Sequence, residues 1–95
     1  MAINLNSGQQ KTYDAIWEEP MNRKLKLSKV DGLLSASCEK RTARKGSPNV
    51  AFEHRSKSWG MHRPHPDKGL KRNYIREIRG FLTASGLKEE IEENG

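Results

Sequence analysis

The stretch Asn49-Val50-Ala51-Phe52-Glu53-His54-Arg55-Ser56-Lys57-Ser58-Trp59-Gly60-Met61-His62 decides the fold. Val50 and Phe52 alternate with Ala51 and Glu53, the period-two pattern of a half-buried strand. Arg55-Ser56-Lys57-Ser58 reads as a turn. Beyond it Trp59 and Met61 share one face, leaving Gly60 and His62 on the other. Upstream, Gly46-Ser47-Pro48-Asn49 has a tight-turn composition, and the polar run from Lys40 to Lys45 suits an exposed strand. Downstream, Pro64 and Pro66 cannot donate ladder hydrogen bonds, so pairing should stop near His62. The expectation is three antiparallel strands joined by short turns, with His54 at a strand end.

On both sides the period becomes helical. Thr12, Tyr13, Ile16 and Trp17 make an apolar stripe on a first helix from Gln9 to Glu18, with Ser7 as its N-cap and Pro20 as its stop. After the basic link Met21–Lys26, a second helix runs from about Ser28 to Ser37. Ser28 and Asp31 suggest its capping box, and Val30, Leu33 and Leu34 its buried face. A last helix spans Lys71 to Ala84, with Tyr74, Ile75, Ile78, Phe81 and Leu82 along one side and Gly86 as its C′ residue. The helices bury their stripes most simply on the sheet face bearing Val50, Phe52, Trp59 and Met61. The opposite face then displays Ala51, Glu53, Gly60 and His62. Trp17, Trp59 and Tyr74 fall at core positions.

At 95 residues, the chain reads as one domain with a small core. Within 1–95 the core covers about 25–86, an N-terminal helix about 9–19, and an acidic tail 87–95. That tail reads as a frayed, solvated helix. Hydrophobic residues make up 33% and charged residues 32%, which is lean for a core but richer than disordered chains. No apolar run approaches the roughly 20 residues of a membrane span. Met1-Ala2-Ile3-Asn4 lacks a secretion signal's charged start, and the single Cys38 forms no internal disulfide. A cytoplasmic protein is expected, with Cys38 a buried structural thiol.

The net charge of +6 is concentrated. Between Glu39 and Arg79 there are twelve Lys and Arg against four Asp and Glu, while the rest of the chain is slightly acidic. Such clustering is the footprint of a polyanion-binding surface. The segment also holds all three histidines. Two of them stand in His62-Arg63-Pro64-His65-Pro66, just before Lys68, Lys71 and Arg72. Imidazole carries protons near neutral pH, and cations attract phosphates. Cys38, His54, His62 and His65 are zinc-ligand types, but their spacing matches no compact motif. The basic segment has no acidic cluster for magnesium. No metal and no cofactor are expected.

In this order the chain resembles the HicA family of bacterial toxin–antitoxin systems. The resemblance runs from about Gln9 to Gly86. It rests on a helix, Arg44-Lys45-Gly46-Ser47 at a hairpin, Phe52 on the next strand, His62-Arg63-Pro64-His65-Pro66, Leu70-Lys71-Arg72 opening the last helix, and Phe81-Leu82 with Ala84-Ser85-Gly86 closing it. The His-Arg-Pro-His-Pro pattern is similar to one branch that also carries an N-terminal helix. The resemblance implies an α+β fold like the double-stranded-RNA-binding domain: a three-stranded antiparallel sheet with helices on one face, plus the extra helix. It further implies a messenger-RNA interferase of the bacterial cytoplasm, held in check by a HicB-like antitoxin. In another branch a histidine follows Gly-Ser and is taken as catalytic; here Pro48 stands there, followed by Asn49.

Metal-free RNA cleavage needs a base for the 2′-OH proton and an acid for the leaving 5′-oxygen. His62 is the first candidate for that work and His65 the second. Arg44, Lys45, Arg63, Lys68, Lys71 and Arg72 are the candidate RNA-binding residues, helped by the unpaired N–H groups at the start of the last helix. The alternative is a catalytically silent RNA-binding or antitoxin-binding module on the same fold. A DNA-binding regulator ranks third, since no helix-turn-helix with a basic recognition helix stands out.

Overall fold

A computed structural model describes residues 3–43, 46, 49–62 and 70–93, without the side chain of His62. Alternation in the deciding stretch has the expected result. β2 (Asn49–His54) and β3 (Lys57–His62) pair antiparallel, with Phe52 opposite Trp59 and Ala51 opposite Gly60. Val50, Phe52, Trp59 and Met61 are buried, and the Phe52 and Trp59 rings stack with centroids 6.4 Å apart. The turn between the strands is shorter than expected: Lys57 and Ser58 belong to β3, and only Arg55 and Ser56 turn. Both have positive φ, 49° and 69°. Two left-handed residues give the turn that matches strand twist, at a steric cost for side chains other than Gly. The Arg55 N–H donates to Glu39 Oε1 at 2.9 Å, which helps hold that turn.

β1 (Lys40–Ala43) pairs with β2 antiparallel, completing a sheet of order β1-β2-β3. All four of its residues are exposed, as its polar sequence implies.

Helices α1 (Ser7–Ile16), α2 (Leu27–Ser37), α3 (Arg72–Ala84) and α4 (Leu87–Glu92) complete the molecule. The result is a three-stranded antiparallel sheet with four helices, an α+β fold. Val30, Leu33, Leu34, Ile75, Ile78 and Leu82 join the inward sheet residues in one core, so helices cover one face of the sheet. Exposed Glu53 and Gly60 lie on the other. The radius of gyration, 12.6 Å, fits the roughly 12 Å of a packed chain of this length. Among the described residues no helix is long and apolar enough to cross a membrane.

Three further details differ from the sequence reading. Asn6, not Ser7, caps α1, in a reciprocal box with Gln9 at 2.8 and 3.0 Å. Ser28 does not cap α2, which begins at Leu27 after Lys26; Asp31 instead takes a two-pronged bond from Arg41 of β1, at 2.9 and 3.0 Å. The acidic tail is no frayed appendage. Leu87 and Ile91, one turn apart, are buried in the core, and the Ile3 N–H donates to the Glu90 carbonyl at 3.0 Å. Four acidic side chains masked this two-residue stripe in the sequence.

Candidate functional site

The open sheet face is built by register. Lys40 with Glu53, Thr42 with Ala51 and Gly60, and Asn49 with His62 form its cross-strand rows. His62 therefore lies at the end of β3, paired to Asn49, with its side chain outside the described residues. Arg44, Lys45, Arg63, His65 and Lys68 lie outside them altogether. Lys71 and Arg72 are described and exposed. Lys71 is the N-cap of α3 and Arg72 its first residue, and among the described residues no side chain caps the helix there. The amide groups of that first turn keep their capacity for an acceptor.

The basic residues divide into spent and unspent charges. Arg41 is held by Asp31. Arg79 is used three times over: Nε donates to the Ile16 carbonyl at 2.8 Å, one terminal nitrogen to the Glu18 carbonyl at 2.9 Å, and the other to Glu19 Oε1 at 2.7 Å. Its guanidinium also sits 5.7 Å from the Trp17 ring centre. Arg79 is thus the cap on the C-terminal end of α1 rather than part of a binding face, and Trp17 is half-buried beneath it. Arg23, Arg72 and Arg76 are different. They line an open groove of about 390 Å³ with Glu19, Pro20 and Met21. Among the described residues, none of the three has a carboxylate at ion-pair distance.

Arg23 was hidden in sequence because it belongs to the link Met21–Lys26, well before the basic segment. Only the fold brings it to α3. The i, i+4 spacing of Arg72 and Arg76 on a helix was the one signal that they share a face.

His54 continues the inward row of Val50 and Phe52 and is buried. The Glu39 N–H donates to its Nδ1 at 3.2 Å, which places the ring proton on Nε2, and that N–H donates to Glu90 Oε1 at 2.9 Å. Arg55 Nε lies 3.4 Å from the same oxygen. The hydrogen bond from His54 and the nearby Arg55 guanidinium outweigh burial and hold the Glu90 carboxyl below its ordinary range. Both ring nitrogens are engaged, so His54 is a structural residue. It ties the β2–β3 turn and the start of β1 to α4.

Cys38 is half-buried, and burial followed by the adjacent Glu39 charge pushes its thiol up to about 12. Among the described residues no three His, Cys, Asp or Glu side chains are grouped to hold a metal ion.

No family model matches this chain. No curated protein and no solved structure matches it either.

Proposed function

We propose that the chain is a HicA-like ribonuclease toxin that cuts messenger RNA without a metal and is neutralised by a HicB-like antitoxin in the bacterial cytoplasm. One observation carries the reading. α2, β1–β3 and α3 follow one another in the order helix, three antiparallel strands, helix, with helices on a single sheet face. That order supports a fold like the double-stranded-RNA-binding domain. It puts His62 at the last position of β3 and Lys71-Arg72 at the start of α3, the two ends of the segment His62–Arg72. In this reading His62 and His65 share the proton transfers, one taking the 2′-OH proton and the other protonating the leaving 5′-oxygen. A positioned histidine contributes roughly 10²–10⁴-fold. Arg44, Lys45, Arg63, Lys68, Lys71 and Arg72 grip the phosphates and stabilise the charge of the pentacoordinate transition state.

The test is incubation of the purified protein, free of any partner, with single-stranded RNA in EDTA. Cleavage that survives EDTA and falls at least about 100-fold in His62→Ala is the expected result. Intact RNA at high concentrations of the wild-type protein would sink the nuclease reading. Pro48, standing where another branch has its histidine, favours a second reading: a silent module that binds RNA or the antitoxin. It predicts salt-sensitive RNA binding with no cleavage.

A further inference from the structure

We propose that the groove between the α1–α2 link and the first two turns of α3 is a phosphate site for an RNA backbone, formed by Arg23, Arg72 and Arg76. The inference rests on the RNA reading above and adds a second point of grip to it. Among the described residues no strand residue lines the groove; it shares Arg72 with the RNA-binding set above and adds Arg23 and Arg76 to it.

The electrostatics of this corner are unfavourable in the free protein. Arg72 opens α3, where the positive end of the helix dipole disfavours a cation. The first turn of α3 has no acidic residue to offset it. Arg76 follows at i+4, and like charges at that spacing repel. Arg23 brings a third guanidinium from the link, and all three side chains belong to exposed residues. The only carboxylate among the described residues lining the groove, Glu19, is already taken by Arg79 at 2.7 Å. The contrast with Arg79, one turn further along the same helix and fully partnered, is what marks the other three as waiting for an anion.

A phosphodiester suits the geometry. Guanidinium groups bind phosphate oxygens in pairs, in a plane. Arg72 and Arg76 are separated by one turn, about 6 Å along the helix axis. That is comparable with the step between phosphates on a stretched single strand, so adjacent phosphates can be held at once. The first-turn N–H groups of α3 point at the same end. Pro20 and Met21 give an apolar wall against which a ribose can rest.

The experiment uses the full chain and a 2′-O-methyl single-stranded RNA, which lacks the nucleophile and so reports binding alone. Wild type, the double variant Arg23→Gln/Arg76→Gln, which spares Arg72, and a control, Lys29→Gln at an exposed position of α2, are compared across salt. Thermal melts accompany them, and the ¹⁵N shifts of the wild-type arginine Nε groups are followed during titration with inorganic pyrophosphate. The double variant should bind roughly tenfold more weakly, with a salt slope shallower by about 1, while the control is unchanged. Its Tm should hold or rise, since repulsion is removed; a merely structural role would lower it. The Nε groups of Arg23, Arg72 and Arg76 should shift ahead of Arg79. RNA binding by the double variant at wild-type affinity and slope overturns the inference and leaves the RNA reading standing. Groove arginines that respond to pyrophosphate in that case would assign the groove to another anion, such as an acidic protein segment. No RNA binding by the wild type at low salt overturns the RNA reading itself, and with it this assignment.

Discussion

Separating His54 from Glu90 should be the most revealing perturbation of this fold. The two side chains are only 6% and 10% exposed, and the bond between them is 2.9 Å. His54→Leu leaves a buried carboxylate with Arg55 at 3.4 Å as its remaining counterion. Stranding a buried charged acceptor costs more than the roughly 1–3 kcal/mol of a neutral one, and the retained Arg55 contact holds this case to about 3 kcal/mol. Glu90→Leu strands a neutral N–H instead, at about 2 kcal/mol. The double variant strands neither group, so it should lose about 2 kcal/mol, no more than the milder single. The coupling is then about 3 kcal/mol. For a domain of this size each kcal/mol moves Tm by about 4–8 °C, so His54→Leu should melt roughly 12–24 °C below wild type. Circular dichroism melts of the four proteins measure all of this.

The same site has a pH signature. Its carboxyl lies below the ordinary 4.5 in the folded state. Its stabilisation is therefore complete above the unfolded carboxylate range and is lost as pH falls through that range towards the folded value. The Tm gap between wild type and Glu90→Gln should be widest near neutrality and narrow from about pH 5 downward. A coupling below about 0.5 kcal/mol, or a gap that ignores pH, would refute the reasoning.

Other variants test other joints. Arg79→Met keeps the aliphatic stem but releases the Ile16 and Glu18 carbonyls, and should cost about 2 kcal/mol in a urea melt. Glu19→Gln, at a carboxylate 70% exposed, should cost under about 0.5 kcal/mol, and equal losses from the two would show that the ion pair rather than the carbonyl cap matters. Cys38, with its thiol pushed up to about 12, should hold about 1,000-fold less thiolate at pH 8 than an ordinary thiol. Allowing for the greater nucleophilicity of a weakly acidic thiol, alkylation should run roughly 30–60-fold slower in the folded protein than in urea. Equal rates in the two states would place Cys38 in an open environment.

The strands and the three longer helices were legible because their periods are strong. Val50, Phe52, Trp59 and Met61 alternate, and Ile75, Ile78, Phe81 and Leu82 recur at helical spacing. The period-two row even extends to His54, whose burial could have been read from that alone. What hid it was polarity: a histidine between Glu53 and Arg55 has the composition of a surface, and only a partner 36 residues away makes burial tolerable. α4 was obscured for a related reason, since Leu87 and Ile91 are too few to outweigh the surrounding acids. On the functional side, adjacency in sequence drew attention to Lys71 and Arg72. It had no means of telling Arg76, which is free of described carboxylates, from Arg79, which is consumed by the end of α1. Nor could it bring Arg23 across to α3.

Because Leu87 and Ile91 complete the core and Glu90 receives both His54 and the backbone of Ile3, the order of synthesis matters. A ribosome makes α1, the sheet and α3 before it makes α4. Until residues 87–92 have emerged, the ring of His54 lacks the Glu90 carboxylate and the Ile3 N–H lacks the Glu90 carbonyl. Domains of this kind settle as units. The nascent protein therefore stays unfinished almost to its last described residue, and its core closes only after nearly the whole described chain has left the exit tunnel.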